Sequence, residues 1–357
     1  MREYFVRLGL VSGLMGGLLG GCAAQPEVTG GSGGSGSGTI VRQQVVATTA
    51  LLCDLTTEIV GEAIDLTCLM SPGQDPHAYR LKPSDRAAIE AADLIFHNGY
   101  DLMPGLAELV KSSGTEGANP AIVAVAEQAV PDPLMFQGHT HAHEEAHDEG
   151  DHDHDKPHED AENDDANNDA LVPDPHVWHD ARNGKAMVAV ITDQLITLDP
   201  DRADDYTTNA TALRDRLDTL HAWIGEQIAT IPDGDRQLVT THDAFGYFSA
   251  AYGLTQSSAL SGLSPTEKPS PAALAAIVEM VKASGVPVIF AENTSSTTLI
   301  EAVANEAGIA VAEEPLLVDS PDPAIAGAAD YPGMLAYNTC VIVNALGGQC
   351  DRPAIGF

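Results

Sequence analysis

Between Gly138 and Ala170 the chain has no Val, Leu, Ile, Met, Phe, Tyr or Trp, yet it holds seven of the protein's thirteen histidines among aspartates and glutamates. Such a segment cannot bury enough apolar surface to offset the entropy of ordering it. It is expected to be a disordered insertion, so any core must be assembled from the sequence on either side. With 357 residues there is enough chain for two domains.

The flanking sequence alternates between strand-like and helix-like patterns. "QQVVATTALLCDL" opens with a β-branched run from near Gln44, and a helix is expected from near Leu55. "IDLTCLM" and "DLIFHNG" are further strand candidates, separated by a Pro- and Gly-rich loop and a helix over 85–92 that Ser84 would cap. After the insertion, Met187, Val190, Ile191, Leu195 and Leu198 form one apolar stripe of a helix beginning near Asn183, which Asp199-Pro200 stops. Leu213, Leu217, Leu220 and Ile224 mark a second helix. "RQLVTTHDAF", "VPVIFAEN" and "IAVAEEPLLVDS" then repeat the strand rhythm. Between them lie a helix from Pro271 to near Gly285 and one with Thr298 and Glu301 as a possible capping box. The pattern implies an α/β fold with binding groups in strand-end loops.

Charge and termini restrict the setting. Seventeen basic against 52 acidic residues give a formal charge of -35, which disfavours a nucleic-acid partner. Arg2 and Arg7 precede an apolar run ending in "LLGGC", the layout of a signal peptide over 1–21 that is too short for a confident membrane span. The Gly/Ser-rich stretch after Cys22, within 22–40, has the composition of a flexible tether, whether natural or introduced. Cys53, Cys68, Cys340 and Cys350 are then an even set, consistent with disulfides in an exported protein. Nearest-neighbour pairing would join Cys53 to Cys68 and Cys340 to Cys350, with free thiols the alternative.

Outside the insertion, His77, His176 and His242 stand at or just beyond predicted strand ends, in "PGQDPHAY", "PDPHVW" and "VTTHDAF". Imidazoles from separate loops, joined by one carboxylate, suit a divalent cation held in a cleft. Each residue also has an ordinary reading: a loop histidine bonded to backbone for His77 and His176, a turn residue or a base for His242, and a turn cap for Asp319. Composition alone does not choose between them.

The cysteine-ended leader, "GQDPHAYRLKPSD", "DPHVWHD", "THDAFGYFSAAYGL", "IFAEN" and "LLVDS" together resemble the zinc/manganese solute-binding proteins of bacterial ABC importers, over nearly the whole chain outside the insertion. The resemblance implies two α/β lobes, each a mainly parallel sheet flanked by helices, with the metal cleft between them. The N-terminal lobe would span 41–182 and contain the insertion 138–170; a long rigid helix, 183–199, would link it to a C-terminal lobe over 200–357. It implies metal ligation by His77, His176, His242 and Asp319, a supporting role for Glu292, and no ligand role for His97, His179 or His221. Histidine at 242 is similar to the zinc branch, where manganese members usually carry glutamate.

The implied cargo is Zn2+, with Mn2+ the alternative because a bidentate Asp319 would raise the coordination number. The implied partners are a membrane permease and its ATPase. The protein would be a monomer, exported and held by lipid on Cys22 at the periplasmic or extracytoplasmic face of the plasma membrane. The insertion would capture or buffer zinc. Rival readings are a zinc hydrolase using Glu292 or Asp243 as base, although HExxH and GxSxG are absent, and a metal-stabilised adhesin. No GxGxxG follows the first strand, so dinucleotide binding has little support.

Overall fold

The structure, a computed structural model, describes residues 42–106, 120–137, 171–241, 243–258, 270–294 and 297–351. The leader and tether with Cys22, the insertion 138–170 and His242 lie outside the described residues.

The first half is a β/α alternation. Strand β1 (Gln44–Ala47) leads into helix α1 (Ala50–Val60), β2 (Asp65–Cys68), α2 (Pro83–Ala91), β3 (Leu94–His97), β4 (Ala121–Ala124) and the short α3 (Val125–Ala129). The four strands form a parallel sheet in the order β2-β1-β3-β4. Val45 and Ala47 enter the large apolar cluster shared with α1, while Val46 enters a second cluster with Ile89 and Ile95. Alternate residues of one strand therefore serve layers on opposite faces of the sheet.

Helix α1 starts at Ala50 rather than near Leu55, because the Thr49 hydroxyl accepts the Leu52 N–H at 3.3 Å and so caps it. Helix α2 also starts early. Pro83 occupies its first turn, and the Asp85 carboxylate, not Ser84, accepts the N–H of Lys82 at 2.8 Å.

An antiparallel pair, β5 (Met135–Gln137) and β6 (Leu171–Pro173), stands where the insertion leaves and re-enters the fold, with Gln137 opposite Leu171. Helix α4 (Ala181–Leu198) follows, capped by Asp180, whose carboxylate accepts the Arg182 N–H at 2.9 Å. Helix α5 (Ala203–Ile228) is 26 residues long, roughly 39 Å. The expected linking segment 183–199 is helical to Leu198; both it and α5, which packs beside it, touch α1, and α5 also packs on the final helix.

The second half comprises β7 (Gln237–Thr240), α6 (Gly246–Tyr252), β8 (Thr255–Ser258), α7 (Pro271–Ser284), β9 (Val288–Ile289), α8 (Thr297–Ala307), β10 (Ala310–Val311) and α9 (Tyr331–Ala345). Strands β7 and β8 pair in parallel, as do β9 and β10, and a parallel bridge from Thr240 to Phe290 sets β7 beside β9. The resulting order, β8-β7-β9-β10, repeats that of the first half.

The expected long strand through "IAVAEEPLLVDS" is interrupted. Pairing stops after Val311 and resumes at the bridge between Glu292 and Leu316, past Pro315, which has no N–H to donate. Both disulfides are formed: Cys53–Cys68 ties α1 to the end of β2, and Cys340–Cys350 ties α9 to the chain beyond it. No helix among the described residues is long and apolar enough to cross a membrane.

Candidate metal centre

Two Asp-Pro-His triplets adopt the same turn. In the loop after β2, the His77 N–H donates to Asp75 Oδ1 at 2.8 Å; after β6, the His176 N–H donates to Asp174 Oδ1 at 2.9 Å. An aspartate two residues ahead accepts the backbone proton and holds the turn. Asp174 does more, because its Oδ1 also lies 2.9 Å from His176 Nδ1. With Nδ1–H donated there, the lone pair is on Nε2, the tautomer a cation requires. The other carboxylate oxygen packs so closely against Gly246 that a Cβ there would come within 2.9 Å of it.

The two imidazoles face one another with Nε2 to Nε2 at 3.2 Å. Two nitrogens each about 2.0–2.1 Å from a tetrahedral ion stand about 3.3–3.4 Å apart, so the spacing fits a shared cation. Asp319 supplies a third donor, and the ligand atoms of His77, His176 and Asp319 all lie within 4.8 Å of one another. His176 and Asp319 are buried and His77 is half-buried. Two neutral nitrogens and one anionic oxygen form a borderline donor set, suited to a divalent transition ion.

Asp319 is placed by its neighbours. The Asn338 side chain of α9 bonds both backbone groups of Leu317, at 2.8 and 2.7 Å. The Trp178 indole N–H donates to the Val318 carbonyl at 2.8 Å, and the Gly73 N–H donates to the Ser320 hydroxyl at 3.3 Å. The loops that carry the two histidines therefore grip the residues on both sides of Asp319.

The remaining sequence candidates occupy other places. Glu292 is buried on the bridge to Leu316, three residues before Asp319, and lies outside the cluster of three donors. His97 ends β3; burial lowers its pKa, and the charge of Glu127 partly opposes that. His179 is buried against Phe245 with ring centroids 4.3 Å apart, and His221 Nδ1 lies 3.1 Å from the Tyr252 hydroxyl. Asp243 accepts the Gln256 side-chain N–H at 2.9 Å.

Sequence reasoning missed Asp174, Trp178 and Asn338. The recurrence of Asp-Pro-His was the available signal for Asp174, whereas nothing local marks Asn338.

A cavity of about 500 Å³ opens on His77, walled by Tyr100, Asp101, Glu127 and the β5–β6 residues Phe136 and Val172. Its rim has three consecutive positive φ values, at Gly99, Tyr100 and Asp101. The Glu127 carboxylate braces this turn by accepting the Tyr100 N–H at 2.7 Å, and a Cβ at Gly99 would come within 2.6 Å of the same side chain.

Comparison with known proteins places these features in context. Residues 45–345 match the profile of the family described as zinc-uptake complex component A, periplasmic. The manganese-binding lipoprotein MntA of Halalkalibacterium halodurans is 29% identical over 303 residues, covering 85% of this chain and 88% of that protein. The manganese ABC transporter substrate-binding lipoprotein PsaA of Streptococcus pneumoniae is 27% identical over 307 residues, 85% of this chain and 89% of its own length. The structure of the periplasmic zinc-binding protein TroA of Treponema pallidum superposes with a TM-score of 0.70 at 27% identity, covering 85% of this chain and 99% of that one.

Proposed function

The chain belongs to the family of periplasmic zinc-uptake components, and from that premise we propose that this extracytoplasmic metal-binding receptor of an ABC importer takes Zn2+ as its cargo. Its role is binding and delivery, not bond cleavage. The observation that carries the zinc reading is the donor set: two facing imidazoles and one carboxylate within 4.8 Å. In this proposal His77, His176 and Asp319 are ligands and His242, just beyond β7, completes a His3Asp shell.

A fourth protein donor leaves no open position of the kind a hydrolytic zinc site keeps for water. Asp174 holds the His176 ring and Trp178 holds the strand of Asp319. We carry forward the lobe limits 41–182 and 200–357 around the linking helix 183–199, with α5 added to that spine. Export by the leader 1–21, lipid on Cys22, a tether over 22–40, a monomeric state and metal capture by 138–170 belong to the same proposal. The partners are the membrane permease and the ATPase behind it.

Manganese is the second reading, because the relatives MntA and PsaA are both described by that metal. Competitive loading with equimolar Zn2+ and Mn2+ of a chain lacking 138–170 separates the two. We expect one tightly held ion, Zn2+, abolished by Asp319→Ala. Preferential retention of Mn2+ would transfer the assignment to manganese, and a tight site indifferent to Asp319→Ala would remove the proposed shell.

A further inference from the structure

In a protein of charge -35, cations left without acidic partners are informative. Most of the described lysines and arginines lie within 4.0 Å of a carboxylate. Arg80, Lys82 and Arg86, with Arg214 elsewhere on α5, have no such pair among the described residues. The first three fall within seven residues of sequence, and all are exposed. Their acidic neighbour Asp85 is buried and already engaged, accepting the Lys82 N–H at 2.8 Å and lying 2.9 Å from the Tyr79 hydroxyl.

The three cations share one groove. Arg80 and Arg86 line a depression of about 770 Å³ together with His77, Tyr79 and Gly105, within the range of about 300–1,000 Å³ usual for small-molecule sites. Lys82 Nζ lies 5.5 Å from the centre of the Tyr79 ring, which sets the third charge over the same wall. That wall is fixed, because the Tyr79 hydroxyl also lies 2.8 Å from the Leu69 carbonyl. Gly105 contributes no side chain to fill the space.

Beside His77 this charge has the wrong sign for a bare divalent cation, which the three side chains repel. It has the right sign for a carboxylate. A guanidinium takes a carboxylate through two parallel hydrogen bonds, so two arginines and a lysine can hold an anion that carries more than one such group. The acidic remainder of the protein repels the same anion.

We propose that the groove of Arg80, Lys82 and Arg86 is a second binding site, for a small di- or tricarboxylate, and that the cargo arrives there as the chelate of that anion. With the carboxylates held on the basic side chains, the ion stands next to His77 and changes partners one donor at a time. A bond from metal to carboxylate oxygen breaks as one to a neutral imidazole nitrogen forms, and neither an electron nor a proton is transferred. Arrival as a chelate rests on the receptor reading; the anion site itself does not.

Citrate is the probe. Phenylglyoxal modification of the full-length, metal-free protein, read by peptide mass spectrometry, reports on Arg80 and Arg86, with the exposed Arg214 as internal reference. At 20 mM NaCl, 10 mM citrate should slow modification of Arg80 and Arg86 at least threefold relative to Arg214, and Lys82→Gln should diminish that protection. NaCl at the same ionic strength should not reproduce it. The ring of Trp178 lies 5.4 Å from that of His176, so its emission follows arrival of the ion. Uptake from zinc citrate should slow at least threefold in an Arg80→Gln/Arg86→Gln variant, whereas uptake from zinc chloride should not slow.

Equal protection of Arg214, or protection of Arg80 and Arg86 matched by NaCl or by inorganic phosphate, would overturn the carboxylate site. So would protection by phosphatidylglycerol vesicles and not by citrate, which would assign the groove to a membrane surface. Uptake slowed equally from both zinc sources, or from neither, would overturn arrival as a chelate. Asp319→Ala tests the receptor reading through loss of tight Zn2+ binding and should leave the citrate protection intact, so failure of one reading is distinguishable from failure of the other.

Discussion

Asp174 holds the ring of His176 and Trp178 holds the carbonyl beside Asp319, so in the proposed centre both residues place donor atoms that they do not supply. Removing such a support typically costs about 10–100-fold in metal affinity. Asp174→Asn is expected to weaken Zn2+ binding by that range. Trp178→Phe keeps the aromatic bulk but deletes one hydrogen bond worth about 1 kcal/mol, roughly a fivefold loss. Titration against a competing chelator checks both; unchanged affinity in either variant would deny that residue its placing role.

Asp54 makes a different prediction. Desolvation raises its pKa from 3.8 to about 7, helped by Asp330 and Glu58 and opposed by the Tyr331 N–H, which it accepts at 2.8 Å, and by Arg216. A carboxyl whose pKa is higher in the fold than in the unfolded chain contributes stability at low pH that is lost as pH rises from about 4 through about 7. The full shift corresponds to at most about 4 kcal/mol, and less for a half-buried group. Asp54→Asn keeps the acceptor for Tyr331 without the charge. Urea unfolding should show it more stable than the parent at pH 8.5, with the gap shrinking toward pH 5.

At the scale of elements, strands with alternating or β-branched apolar residues were legible because each is short and bounded by turns, as with Val45, Val46 and Leu94. Helix α9 was not. Twelve of its fifteen residues are buried, so it has no polar face to impose a helical period. The β5–β6 pair was hidden because three-residue strands flanking a long insertion leave no periodic trace. Of the proposed shell, His77, His176 and Asp319 were readable through their motifs, and the structure brings them together. Their supports were not, since Trp178 and Val318 are 140 positions apart in sequence.

The disulfides act at this scale too. They close loops of 15 and 10 residues, each worth about 3 kcal/mol by restricting the unfolded chain. Replacing Cys53 and Cys68 with serine should lower Tm by roughly 6–12 °C, given about 2–4 °C per kcal/mol for a protein of this size. A scan of the metal-free protein measures it.

For the whole molecule, the recurrence of one strand order, β2-β1-β3-β4 and then β8-β7-β9-β10, accounts for where the proposed donors arise. Loops beyond parallel strands carry His77 and Asp319, as expected for sheets of this kind. A centre assembled from imidazoles must compete with protons, whose ordinary affinity corresponds to a pKa of about 6.5. The fraction of Zn2+ retained by a chain lacking 138–170 should therefore fall between pH 7.5 and 5, as followed by dialysis and metal analysis. An unchanged fraction would argue against histidine ligation.

Because Gln137 and Leu171 are partners across a single rung of the β5–β6 ladder, the polypeptide between them begins and ends at nearly one point in space. The framework is consequently a socket with a fixed mouth. A peptide of another length or chemistry, such as a fluorescent reporter, can be grafted there without altering the path of the chain on either side.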